Sequence, residues 1–367
     1  MDSLIVPKGK RIIPASKPSS AYNKIMIVGE AAGQQEEASG KPFAGASGHE
    51  LNSWLSAAGI LREDCYVTNV FKFRPTNNDL KTISYATKAE ANKAVGGTYP
   101  LAPCGSKEYI FLDIALSAIE EIRREIAEYQ PNVILALGNV ALWALTGSSG
   151  ISKERGTVQI CKLDGRTKVV PTYHPAAVLR QFNLRSIGIA DTIKCGLESS
   201  SPSIQRKQRL ILVDPSLAEI EEFFKTHIYT ASRVSVDIET KNGQITCVGV
   251  GVSPQLSIVI PFWDKRKNDW NYWPDAASER AAWGFIRDLL ANPNIQIVGQ
   301  NFLYDIQYLY RVMGFKILGE IHDTMLMHHS MYPELEKGLG FLGSIYCNEM
   351  SWKHLRTKGQ EELKADE

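Results

Sequence analysis

Val236-Asp237-Ile238-Glu239-Thr240 reads as a strand on which two acidic side chains share one face, because successive residues of a strand point to opposite sides. Asp237 and Glu239 can then grip one cation between them. A second apolar run, Ile295 to Val298, leads into Asn301-Phe302-Leu303-Tyr304-Asp305, where Asp305 opens a helix and supplies a third carboxylate. Hard oxygen ligands of this kind suit Mg²⁺ or Mn²⁺, and a pair of such ions activates water and stabilises the leaving oxygen of a phosphodiester. Taken alone, the acidic tripeptide reads as a solvated charge pair. Its surroundings decide.

Asp237-Ile238-Glu239-Thr240 is followed by alternating strands at Ile245 to Val252 and Leu256 to Phe262, then by Gly299-Gln300-Asn301 with Tyr304-Asp305. Asp323-Thr324-Met325-Leu326 and Leu339-Gly340-Phe341-Leu342 come next, in order. Over Leu210 to Tyr346 this set resembles the DEDD-type 3′-5′ exonuclease domains that proofread for bacterial and phage family A DNA polymerases. The resemblance implies a ribonuclease H-like fold with a mixed sheet, and it implies Asp237, Glu239 and Asp305 as metal ligands. The family's fourth carboxylate follows a Tyr or His by four residues. After Asp305 the only aspartates are Asp323 and Asp366, preceded at that spacing by Gly319 and Glu362. The expectation is therefore an exonuclease-like domain that stops before its last motif and is weak or inactive, with Asp366 too close to the terminus to serve.

The front half carries a different pattern. Ile25-Met26-Ile27-Val28 is a short apolar strand running into Gly29-Glu30-Ala31-Ala32-Gly33 and then Gly40-Lys41-Pro42-Phe43-Ala44-Gly45. Such turns let a flat ligand or a phosphate approach the backbone. Tyr66 to Val70 reads as another strand, ending in an amide, Val133 to Gly138 as a third before a helix from Asn139, and Val169 to Pro175 as a fourth, ending in the imidazole of His174. Polar residues at the ends of apolar strands that alternate with helices indicate an open parallel sheet with its site at the carboxyl edge.

From Lys24 to Ile193 this set resembles the uracil-DNA glycosylase superfamily, closest to its family four, and implies an α/β/α domain with a central parallel sheet. Cleaving an N-glycosidic bond requires a base drawn from the stack, an aromatic face against it, an amide reading its edge and a donor for the departing anion. The resemblance puts Phe43 in the stacking role, Asn69 in the reading role and His174 beside the leaving group. Glu30 is implied to position water, Glu36 to stand where a thymine methyl would clash, and Arg180 to meet a DNA phosphate.

The chain also departs from that family. Family-four enzymes usually hold an iron-sulfur cluster with four cysteines. Here there is no amino-terminal cysteine pair, Phe73 stands in Phe71-Lys72-Phe73-Arg74-Pro75 where the family has a cysteine, and only Cys104 resembles a surviving ligand. One thiolate cannot hold a cluster that needs four, so no iron-sulfur cluster is expected. Ala32 replaces the usual proline and is expected to loosen its turn. Thr76 to Pro103 is longer than in the family and reads as a surface insertion.

At 367 residues the chain should form about two domains. We expect a glycosylase-like domain over 1–196, a linker over 197–209 containing Ser199-Ser200-Ser201-Pro202-Ser203, and an exonuclease-like domain over 210–367. The longest apolar stretch, Val133 to Leu145, is too short for a bilayer, and no signal-peptide core is present. Six scattered cysteines without a C-x-x-C suit a reducing compartment. The expected location is the cytoplasm, that of a bacterial host if the chain is phage-encoded.

A net charge of +1 means that DNA is held by local patches rather than bulk charge. Candidates are Arg180 with Arg185, the Arg206-Lys207-Arg209 run, and Lys265-Arg266-Lys267 beside Trp263, Trp270 and Trp273. The last mixes cations with stacking surfaces, as single-strand channels do, and reads equally as a solvated hairpin tip. The joint expectation is a DNA-acting protein, on single-stranded or uracil-containing DNA, that excises uracil or a modified uracil beside an exonuclease-like domain. Partners would be a DNA polymerase or other replication proteins. The alternative is a non-catalytic DNA-binding or processivity module.

Overall fold

In the computed structural model the described residues are 4–95, 109–204 and 208–347. They form two compact units, each with its own sheet.

The first unit is built on β1 (Ile25–Ala31), β2 (Tyr66–Phe71), β3 (Ser84–Tyr85), β4 (Tyr109–Ile110), β5 (Val133–Leu137), β6 (Gln159–Ile160) and β7 (Lys168–Thr172). Its main sheet has the order β2-β1-β5-β7-β6 and is parallel except for β6 at the edge. β2, β5 and β7 are buried along their whole length; β5 reads as an unbroken apolar run for that reason, while Thr68 and Asn69 in β2 and Lys168 and Thr172 in β7 are polar groups buried with the rest. Helices cover both faces. Leu112–Tyr129 presents Ile114, Ile119, Ile122 and Ile126 to one core, while Ala46–Ala57 gives Leu51, Trp54 and Leu55 to the other.

The segment expected to be a surface insertion does more than cover. Leu80 and Ile83 are buried in the same core as Phe71 and Phe73, and Ser84–Tyr85 pairs with Tyr109–Ile110. Two apolar anchors in a 3₁₀ turn show no periodicity, so the segment reads as loop until its packing is seen. Phe73 is 1% exposed and packs against Phe71, ring centres 6.2 Å apart, as part of the core. Cys104 lies outside the described residues, as does Asp366.

The second unit carries β8 (Leu210–Leu212), β9 (Arg233–Lys241), β10 (Gln244–Ser253), β11 (Leu256–Pro261), β12 (Gln296–Gly299) and β13 (Ile321–Asp323). The order is β13-β12-β9-β10-β11-β8, a mixed sheet with an antiparallel meander at its centre. β9 alternates strictly: Val234, Val236 and Ile238 are buried against the helix Ala276–Leu290, and Asp237 and Glu239 face outward.

The expected boundary at 210–367 differs from the units at one place. Described residues from Gly340 onward group with the first unit. There the Arg155 guanidinium lies 5.5 Å from the Phe341 ring and donates to Ser344 Oγ at 2.7 Å. Lys194 Nζ donates to the carbonyls of Gly156 (2.6 Å), Ser344 (2.6 Å) and Cys347 (3.0 Å). Buried cations need such partners, and the segment supplies them. Arg155 also pairs with buried Asp191, which accepts from Thr172 at the end of β7.

Candidate active sites

Parts of three strands converge in the first unit. Asn69 lies inside β2, two residues before its end rather than at it, with Gly29 of β1 in register opposite, and His174 follows β7. With Glu30, Glu36 and Phe43 they line a cavity of about 370 Å³. Phe43 lies parallel to His174, ring centres 5.9 Å apart, on a backbone with φ of +52°. A left-handed phenylalanine is strained unless its surroundings hold it. Here Arg62 donates to the carbonyls of Pro42 and Phe43, and Phe43 N–H is held by Glu36.

Glu36 is the hub of the turn. Its Oε2 accepts from Gly33 N–H at 2.5 Å, and its Oε1 accepts from Phe43 N–H and, at 3.3 Å, from Asn69 Nδ2. The turn containing buried Ala32 is thus closed by a carboxylate rather than by a proline. An ionised carboxylate only accepts, so the Asn69 amide must turn its NH₂ toward Glu36. Its Oδ1 then lies beside Gly29, where a Cβ would stand 2.3 Å from Oδ1 and 2.4 Å from Phe43 Cζ. Only glycine fits there.

His174 caps the helix Pro175–Val178, its Nδ1 accepting from Ala176 N–H at 3.2 Å. That bond assigns the proton to Nε2. Desolvation, with the charge of Arg180 second, pushes the His174 pKa down to about 4, so the ring is neutral at pH 7 and still a donor. Exposed Arg180 is close enough to act on it.

Beneath Asn69 lies a feature that sequence reasoning missed. Lys72 Nζ, 4% exposed, donates to Asn69 O (3.0 Å), to Thr68 Oγ1 and to Glu125 Oε2 (2.8 Å). Burial lowers the Lys72 pKa and Glu125 opposes that shift. The one available signal was a lysine between two phenylalanines; nothing pointed to a partner on a distant helix.

In the second unit Asp237 and Glu239 stand side by side on β9, and Asp305 Oδ1 accepts from the N–H of Ile238 between them at 2.9 Å. Desolvation and Glu239 raise the Asp237 pKa; desolvation first, then Asp237 and Asp323, push that of Asp305 up to about 6. With the side chains as they stand, no three of His, Cys, Asp or Glu among the described residues close on one point. Asp323 is spent on backbone, accepting from Asn301, Phe302 and Met325 N–H. Arg266 is folded onto Asp264 at 2.8 Å, while Lys265 lies exposed beside Trp263.

Residues 19–207 match the family model described as the uracil DNA glycosylase superfamily. The chain belongs to that superfamily. Residues 216–367 match a second model, a 3′-5′ exonuclease. Among curated relatives, a type-4 uracil-DNA glycosylase of Archaeoglobus fulgidus is 36% identical over 180 residues, 47% of this chain and 75% of the relative. A DNA polymerase of Bacillus phage SP01 is 23% identical over 346 residues, 86% of this chain but 33% of the polymerase. A solved structure of Trypanosoma brucei RNase D shares 14% identity over 33% of this chain and 40% of that one, with a TM-score of 0.26. The superfamily assignment covers the cavity residues Glu30, Glu36, Phe43, Asn69 and His174. Among the described residues no helix is long and apolar enough to cross a membrane.

Proposed function

We propose that the first unit excises uracil, or a close relative of it, from DNA by hydrolysis of the N-glycosidic bond. The observation that carries this is the pairing of a neutral Nε2–H donor on His174 with an Asn69 amide fixed by Glu36, both in one cavity against Phe43. Uracil offers N3–H and O4 on its edge. Asn69 Oδ1 accepts the first and the second Nδ2 hydrogen donates to O4; cytosine inverts both and is refused. As the N1–C1′ bond breaks, the electron pair stays on the base, and His174 stabilises it without giving up its proton. Water adds to C1′ from the side of Glu30, and its proton passes to solvent. The test is incubation with uracil-containing single-stranded and duplex oligonucleotides, followed by alkali. Strand breaks at uracil are expected; none on any substrate would favour the non-catalytic binding module.

In the second unit the donor set suits a divalent ion, Mg²⁺ or Mn²⁺, held by Asp237, Glu239 and Asp305, because Asp305 Oδ1 sits on the Ile238 N–H between the other two, and desolvation, with neighbouring carboxylates second, raises the pKa of Asp237 and Asp305, which a cation would relieve. Such an ion supplies activation of water at a phosphodiester. Hydrolysis by residues 1–367 as they stand should be weak, since Asp323 is engaged with the N–H groups of Asn301, Phe302 and Met325. The acting location is the cytoplasm and the partners are DNA and replication proteins, a polymerase among them. The purified protein should be colourless and iron-free, with Phe73 buried where the cluster ligand would be; near-stoichiometric iron by elemental analysis would refute this.

A further inference from the structure

The outward face of the second sheet continues past the acidic pair. Residues opposite one another on neighbouring strands share a face. Glu239 lies across from Cys247 and Cys247 from Pro261; Asp237 lies across from Gly249 and Gly249 from Val259. A Cβ at Gly249 would meet only the Asp237 carbonyl, at 3.8 Å, so the floor there is flat and open. Beyond it lies a cavity of about 470 Å³ with Cys247, Val259 and Pro261 on its floor and Lys241, Lys265 and Trp263 among its walls; Asp214 also lines it.

The wall continues past the cavity as a joined set rather than scattered charge. Trp263, which lines the cavity, meets Trp270 outside it edge-on at 5.4 Å, and Lys241 Nζ sits 5.5 Å over the Trp270 ring. Trp270 is 43% exposed and holds a φ of +57°, a conformation that a bulky residue adopts only when its surroundings impose it. Arg266 approaches Asp214 at 4.0 Å, leaving Lys241 and Lys265 without an ion pair among the described residues. Lys241 is two residues beyond Glu239, roughly 7 Å further along the strand.

We propose that this groove is a single-strand subsite, in which a base stacks on Trp270 and the backbone phosphate beside it meets Lys241 and Lys265, feeding the strand toward Asp237 and Glu239. Exposed aromatic rings beside cations are how proteins hold single strands without reading sequence. The destination of the strand rests on the metal-site reading given above; the groove itself does not.

The test uses the full chain in EDTA with a short oligo(dT) carrying a photoreactive 4-thiothymidine near its 3′ end. Cross-links mapped by mass spectrometry should fall within residues 263–270. Trp270→Ala should reduce their yield roughly five- to a hundredfold, as loss of a stacking ring does, while Trp270→Phe restores it. Lys241→Gln should reduce the salt dependence of that yield by about one phosphate's worth. Cross-links confined to the first unit would overturn the proposal. Mn²⁺ binding by the same chain, lost in Asp237→Ala, is measured separately. Binding without cross-links sinks the groove and spares the metal site; cross-links without binding do the reverse.

Discussion

The two sites solve opposite problems. In the first unit the groups argued to meet the base are already held: Asn69 by Glu36, Phe43 by Glu36 and Arg62, His174 by Ala176, and the strand beneath by Lys72. In the second unit desolvation first, and neighbouring carboxylates second, raise the pKa of Asp237 and of Asp305 at the sheet face. A site that stabilises a departing anion with neutral dipoles can be finished by the chain alone. A carboxylate site is finished only by its ion.

Four measurements can break or sharpen that contrast. The largest effect is expected beneath the first cavity. Lys72→Met strands a buried Glu125 and should cost about 3–5 kcal/mol in denaturant unfolding, whereas Lys72→Met with Glu125→Leu should recover most of it. A cost below about 1 kcal/mol for the single change would mean that the pocket is not braced this way. Next, His174→Ala and Asn69→Ala should each slow uracil release by roughly a hundred- to a thousandfold, as removal of a preorganised donor does. Unchanged rates would remove the catalytic reading. Third, Mn²⁺ at about a hundred times its Kd should stabilise the second unit by about 2.7 kcal/mol, and Asp237→Ala should abolish the shift. A first-unit transition that moved with Mn²⁺ would erase the distinction drawn here.

The smallest effect concerns pH. With its pKa pushed down to about 4, His174 should not ionise between about pH 5 and 8, so the excision rate should show no step from this group there. Stability behaves otherwise. Below about 6.5 the unfolded histidine takes a proton that the folded one refuses, so the contribution of His174 is complete above that pH and is lost as pH falls toward about 4. A rate step near 6.5 that vanishes in His174→Ala would show that the ring is not desolvated.

Much of this was legible in the sequence, for physical reasons. Strands buried on both faces are mostly apolar, so β5 and the apolar stretches of β2 and β7 announced themselves, although Asn69 sits inside β2 rather than at its end. The half-buried β9 announced itself by alternation, which put Asp237 and Glu239 together. What stayed hidden depends on pairs distant in sequence. Lys72 reads as a surface cation until Glu125 is seen beside it. Gly29 reads as one of several turn glycines until Phe43 and Asn69 are found against it. Leu80 and Ile83 sit in a polar stretch and gave no period. The helix Leu339–Tyr346 fits an exonuclease pattern well enough that nothing in it foretold Arg155 and Lys194 as its neighbours.

That helix has a consequence for how the protein is made. Domains generally fold as units, amino-terminal ones first, while the ribosome adds about 5–20 residues each second. Here two of the three carbonyls that accept from Lys194, and the hydroxyl that accepts from Arg155, belong to residues 344 and 347. The nascent first unit must wait, with two buried cations short of partners, until the entire second sheet has been translated, a delay on the order of ten seconds. A stalled ribosome or an early stop codon anywhere in the second half would therefore injure the first.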